Sequence, residues 1–236
     1  MSQSYPYSQP QSAIGTAADR RARFIVRTYN HLFGAIVAFA LIEFGLFMSG
    51  IADVIAAVVL RGGQLLWFGV LAAFMIVGWL ASRYAHTAES KGVQYLALAS
   101  YVFVEALVFV PILWIAERFA PSAIPSAGLV TVVGFAALTG IAFWTRKDFS
   151  FLGGILRWGF ICALLLMIAG AIFGFQLGVF FSIALVGLAG AAILYDTSNV
   201  IHHFPEDRYV GAALELFASV ALMFWYVLRL FLAARD

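Results

Sequence analysis

The sequence predicts an all-α integral membrane protein, a bundle of seven spanning helices, and two observations carry that expectation. Charged residues make up 11% of the 236-residue chain, against 64% hydrophobic, and mean hydropathy is +0.97. A soluble domain carries roughly a quarter charged residues, because water must wet its surface. An apolar exterior costs nothing in lipid, so a bilayer is the solvent this composition fits. The second observation is length. Apolar residues gather in stretches of about 20, the number that crosses a hydrocarbon layer of about 30 Å as a helix.

Residues 1–27 open the chain as a polar, then basic, tail. The run MSQSYPYSQPQSAIGTAA is rich in Ser, Gln, Tyr and Pro and has no apolar face, so it reads as disordered rather than as a signal peptide. The spans then follow in order as Thr28–Met48, Leu65–Ser82, Val93–Ile115, Ala127–Trp144, Phe151–Phe173, Leu177–Ile201 and Tyr209–Leu232, within one domain over residues 28–236. Polar or turn-forming residues separate them: Arg61-Gly62-Gly63, the loop from Arg83 to Lys91, Pro121 to Pro125, Arg146-Lys147-Asp148, Gly174, and His202 to Arg208. Ile51 to Leu60 is too short to cross, and is expected at the interface or as an extension of the second helix.

Basic residues orient the bundle, since they concentrate on the cytoplasmic side. With the N-terminus inside, that side holds Arg20, Arg21, Arg23, Arg27, Arg83, Lys91, Arg146, Lys147 and Arg208. The other side holds Arg61, Arg118, Arg229 and Arg235. An odd number of spans then places the C-terminus outside.

Ionisable groups in hydrocarbon cost about 2.5–3.5 kcal/mol each on insertion scales, so each calls for a reason. The spans contain Glu43, Glu105, Arg157, Asp196 and Glu215. At about 1.5 Å per residue, Asp196, Glu215 and Arg157 each lie roughly 8–9 Å from the cytoplasmic ends of the last three spans. Consecutive helices are usually neighbours, so these three are expected to cluster. Such a carboxylate pair can respond to protons, and its deprotonated form offers oxygen ligands to a hard cation such as Ca²⁺. The structural alternative is that Arg157 reaches the headgroups and the carboxylates tie helices together. Glu105 lies near the middle of the third span, six residues before Pro111, which frees a backbone carbonyl beside a possible pathway.

Several chemistries find no support. The +2 net charge and the absence of a basic patch interleaved with aromatics argue against nucleic acid. Cys162 is the only cysteine, so neither an internal disulfide nor a cysteine-based metal site can form. His202 and His203, near Glu206 and Asp207, read as a solvated loop because adjacent histidines point apart. No nucleotide loop, H-E-x-x-H helix or G-x-S-x-G serine is present, and no enzyme is expected.

Two stretches carry a resemblance. TRKDFSFLGG (Thr145–Gly154) and ILYDTSNVIHHFPEDRYVGAALELF (Ile193–Phe217), with seven spans and a polar N-terminal tail, resemble the Bax inhibitor-1 (TMBIM) family, in its bacterial YccA-like branch. The similarity runs from about Arg27 to the C-terminus. It implies a seven-helix bundle of Bax inhibitor-1 type in a bacterial inner membrane, and two roles. One is modulation of an FtsH-type quality-control protease, with the cytoplasmic tail as a handle. The other is a pH-sensitive calcium leak, in which two aspartates in the last two spans are latched by a basic residue from the second. Asp196 matches the first aspartate, Ser219 stands in place of the second, and Arg83 lies near the latch. Spacing offers a substitute: Glu215 is one turn before Ser219 on the same face. No cofactor is expected beyond Ca²⁺ as a transported ion or one held at Asp196 and Glu215.

Overall fold

The computed structural model describes residues 11–175 and 177–234. Among them are eight helices and no strand: α1 Gln11–Met48, α2 Ile51–Arg61, α3 Gly63–Thr87, α4 Lys91–Phe119, α5 Ala123–Thr145, α6 Leu152–Phe173, α7 Val179–His202 and α8 Tyr209–Ala233. Seven of these, all but α2, are long and apolar enough to cross a membrane. The all-α, seven-span expectation therefore holds, and every expected span falls within one of those seven helices, apart from the first residues of the spans set at Phe151 and Leu177.

The short segment between the first two spans is a helix of its own. Gly50 has φ of +76°, a left-handed conformation that only glycine adopts cheaply, and this breaks α1 from α2. Gly63, at φ +67°, separates α2 from α3 in the same way. Asp53 then pins α2 to α4, accepting hydrogen bonds from the Trp114 indole (2.8 Å) and the Arg118 guanidinium (2.6 Å), which lies 4.0 Å over the Trp114 ring. The Trp114 bond, with the Arg118 charge beside it, holds the Asp53 carboxyl below its ordinary range.

The expectation of a disordered tail through residue 27 is corrected. Residues 1–10 lie outside the described residues, but α1 begins at Gln11 and runs 38 residues. That is roughly 57 Å at about 1.5 Å per residue, well beyond the hydrocarbon thickness. Ala and Arg favour helix in the segment AADRRARF, and two anchors hold it. Phe24 is buried, and Arg21 Nη1 donates to the Phe204 carbonyl at 2.6 Å. Arg20 pairs with Glu206 at 3.3 Å.

α8 is the central helix, packing on α1, α3, α4, α5 and α7. With α4 it forms the core, where Phe109, Val110, Leu216 and Leu228 are fully enclosed. α6 rests on α7, while α3 rests on α4 and α8. These two outer helices leave a gap between them, which the buried residues Glu105, Asp196 and Ser219 face.

Candidate functional site

A groove of about 810 Å³ lies among α3, α4, α6, α7 and α8. Its lips are apolar and exposed: Met75 and Trp79 on α3, Phe160 and Ile161 on α6. It thus opens sideways, toward where lipid would lie. Its floor carries Glu215, Asp196, Ser219 and Glu105, and Arg229 stands at the opposite end from Glu215. Along α8, Glu215 to Arg229 is fourteen residues, roughly 21 Å at about 1.5 Å per residue. The groove therefore runs most of the depth of the bundle, acidic toward the end bearing most of the basic residues and cationic at the far end.

Glu215 is held from α3. The His86 ring Nε2 lies 2.7 Å from its Oε1, and the Ser82 hydroxyl donates to the same oxygen at 3.1 Å. Phe204, from the α7–α8 loop, stacks on the His86 ring at 5.4 Å. Gly211 makes the approach possible: a Cβ there would sit 3.0 Å from the Ala85 carbonyl and from the His86 ring. Only a bare backbone lets α8 close on α3 at this level.

Asp196 is deeper and buried, and the Ser219 hydroxyl donates to its Oδ2 at 2.5 Å. Serine at this position acts as a hydrogen-bond donor to the carboxylate. Gly153 keeps α6 close to α7 here, since a Cβ would meet the Tyr195 ring at 3.0 Å; at Gly154 nothing lies within 4 Å. Glu105 comes next on α4, 6% exposed, and its Oε2 has no hydrogen-bond partner. Pro111 follows within the same helix and removes the bond to the Leu107 carbonyl.

The structure places two expected members elsewhere. Arg157 is exposed on α6 and does not line the groove; its neighbours Gly153, Leu156 and Phe160 do. A helix turns about 100° per residue, and Arg157 falls on the lipid-facing side of Leu156. Arg83 is also exposed, 5.4 Å over the Trp79 ring, so the basic partner expected from α3 is replaced by His86, three residues on. His86 and Ser82 were missed in the sequence, because nothing local shows that the last turn of α3 meets α8.

The loops at the basic end form a polar platform. Asp148 accepts from the Ser150 backbone N–H at 2.9 Å and pairs with His203 at 2.9 Å. Those bonds, the Ser150 backbone contact foremost, hold its carboxyl down at about 2. Asp148 thus shapes the turn before α6 rather than capping the helix, which begins at Leu152. Ser198 Oγ accepts from the Phe149 N–H at 2.9 Å, and Lys91 and Arg208 donate across the loops to the Asp207 and Ala88 carbonyls. Among the described residues no group of three His, Cys, Asp or Glu is placed to hold a metal ion.

The family model for the inhibitor of apoptosis-promoting Bax1 matches residues 21–236. An uncharacterized Pseudomonas aeruginosa protein, PA2604, is 36% identical over 113 residues, 47% of this chain and 50% of that one. The Escherichia coli (strain K12) Modulator of FtsH protease YccA is 33% identical over 108 residues, 45% of this chain and 49% of its own length. This chain therefore aligns with about half the length of each of these two relatives. Protein LIFEGUARD 4 of Arabidopsis thaliana is 33% identical over 180 residues, 73% of this chain and 69% of that protein. A match across nearly the whole chain, joined to seven spanning helices, shows that this multi-pass membrane protein belongs to the Bax inhibitor-1 family.

Proposed function

We propose that this protein binds and restrains an FtsH-type membrane protease in a bacterial inner membrane, with its N-terminus and basic loops in the cytoplasm. The observation that carries the reading is the N-terminal end of α1, which extends the helix beyond spanning length. It is helical and fastened to the α7–α8 loop through Arg20–Glu206 and Arg21–Phe204, with Ala22, Arg23 and Val26 exposed. A helical handle at a membrane surface suits a partner that grips membrane proteins from their soluble ends. The relation to a named FtsH modulator supports the same reading. The dense α4–α8 core would resist extraction, since pulling any span exposes side chains packed at interior density.

The test is co-purification with the protease, beside a chain lacking residues 1–16. That truncation spares Phe24 and both arginine anchors, so loss of capture would reflect the handle rather than unfolding. Undiminished capture both by the truncated chain and by a chain with Arg23→Glu and Val26→Ser, which alter the exposed face that truncation leaves, would remove the handle from the account. Failure of the full chain to capture the protease would remove the function.

One observation favours a second reading, a proton-regulated cation leak. Asp196, Glu215 and Glu105 line a single groove, and Glu215 reaches it from one turn before Ser219. In this reading Glu215 takes the part of a second membrane carboxylate and Ca²⁺ is the transported ion. Calcium flux into liposomes at pH 6 and pH 8, lost in Asp196→Asn, would support it. Flux no greater than that of empty liposomes would sink it.

A further inference from the structure

The groove differs from a plain ion path in three respects. Its wall is overwhelmingly apolar, with Leu71, Phe74, Leu164 and Leu222 among the lining side chains. It opens sideways between α3 and α6, through the exposed lips already described. Its charges are also ordered along its length, with carboxylates toward one end and Arg229 at the other. A bare cation gains nothing from a long hydrocarbon wall, whereas an amphiphile gains along its whole body.

We propose that the groove is a binding site for single-chain amphipathic amines, which enter from the bilayer between α3 and α6. The ammonium lies at Asp196 and Glu215, and the hydrocarbon body runs past Phe74 and Leu164 toward Trp67 and Trp225. An independent feature marks the polar part as built for a ligand. The Glu105 carboxyl is more than nine-tenths buried, lines the groove and leaves Oε2 unpartnered, an expense that a bound donor would offset. Charge order fixes the direction, because a cationic head at the opposite end would meet Arg229. It also selects against bilayer phospholipid, whose phosphate would be brought among three carboxyl groups. The site does not depend on protease binding or on ion flux.

The experiment uses the full chain in phosphatidylcholine nanodiscs and radiolabelled dodecylamine, with empty discs as background. The expected result is a saturable component of one amine per chain, weakened at least tenfold by Asp196→Asn and by Glu215→Gln. Leu222→Trp, which fills the groove without touching charge, should weaken it similarly. Competition on the unaltered protein needs no variant to fold: unlabelled decylamine should displace the label, while dodecanol and methylammonium should not. Binding no greater than in empty discs would overturn the proposal. So would displacement by dodecanol, which would mean that the apolar wall alone is recognised, or by methylammonium, which would mean a bare cation site.

Discussion

α4 and α3 are adjacent spans of similar apolarity, yet they lead opposite lives. Two thirds of the apolar stretch of α4 is buried inside the protein, against 6% of that of α3. α4 and α8 are core, surrounded by other helices and interlocked through Phe109, which packs edge-on to Trp225 at 4.9 Å and stacks on Phe224 at 5.7 Å. α3 and α6 are walls, each held along one side. The difference teaches where a membrane protein of this kind places its polar groups. Asp196, Glu215 and Glu105 belong to the well-packed helices α7, α8 and α4, whose rigidity fixes them, but they face the gap that the walls leave open. The wall helices supply access and one hydrogen-bonding pair, His86 and Ser82.

Four experiments sharpen that contrast. Phe109→Ala should destabilise the protein by roughly 3 kcal/mol, through loss of packing and the cavity left behind, whereas Phe160→Ala on the groove lip should be nearly silent. Thermal unfolding in detergent reads both, and equal effects would erase the distinction between core and wall. Next in size, Gly211→Val should cost about 1–3 kcal/mol, since its side chain would press on the Ala85 carbonyl and the His86 ring. Gly154→Ala, with open space around it, serves as its control. Glu215→Gln should cost about 1 kcal/mol, as the His86 contact is partly solvated, and Tm in the same assay would detect it.

The smallest effect is a pH dependence on the loops. A carboxyl lowered from about 3.9 in the unfolded chain contributes stability that is fully present above that value. It is lost as pH falls toward the folded value of about 2 at Asp148. Acid unfolding of Asp148→Asn should therefore be less steep than that of the parent between about pH 4 and pH 2. Identical profiles would show that the Ser150 and His203 contacts do not matter to stability.

The spans were legible in the sequence because hydropathy and length are properties of a stretch, independent of what it touches. The position of each charged residue along its helix was legible for the same reason, through the fixed helical rise. Azimuth was not. Arg157 and Leu156 differ by one residue and so by about 100°, enough to put one in the groove and the other on lipid, and no hydropathy average records that. The α3–α8 approach was hidden for a related reason. His86 and Gly211 are 125 positions apart, and each looks ordinary alone. The helical start of α1 was missed because a polar composition hid the apolar anchors, Phe24 and Ile25, that help to fasten it.

The central claim is that the groove carboxyls face the bilayer side while other buried carboxyls do not. Glu105 and Glu43 make the direct comparison, for each is 6% exposed, but Glu105 lines the groove and Glu43 does not. Treatment in liposomes with the lipid-soluble reagent dicyclohexylcarbodiimide, followed by mass spectrometry of the peptides, reports which carboxyl is reached from the membrane. The account predicts the adduct on Glu105, with Glu43 spared. Labelling of Glu43 with Glu105 untouched, or equal labelling of the two, would contradict it.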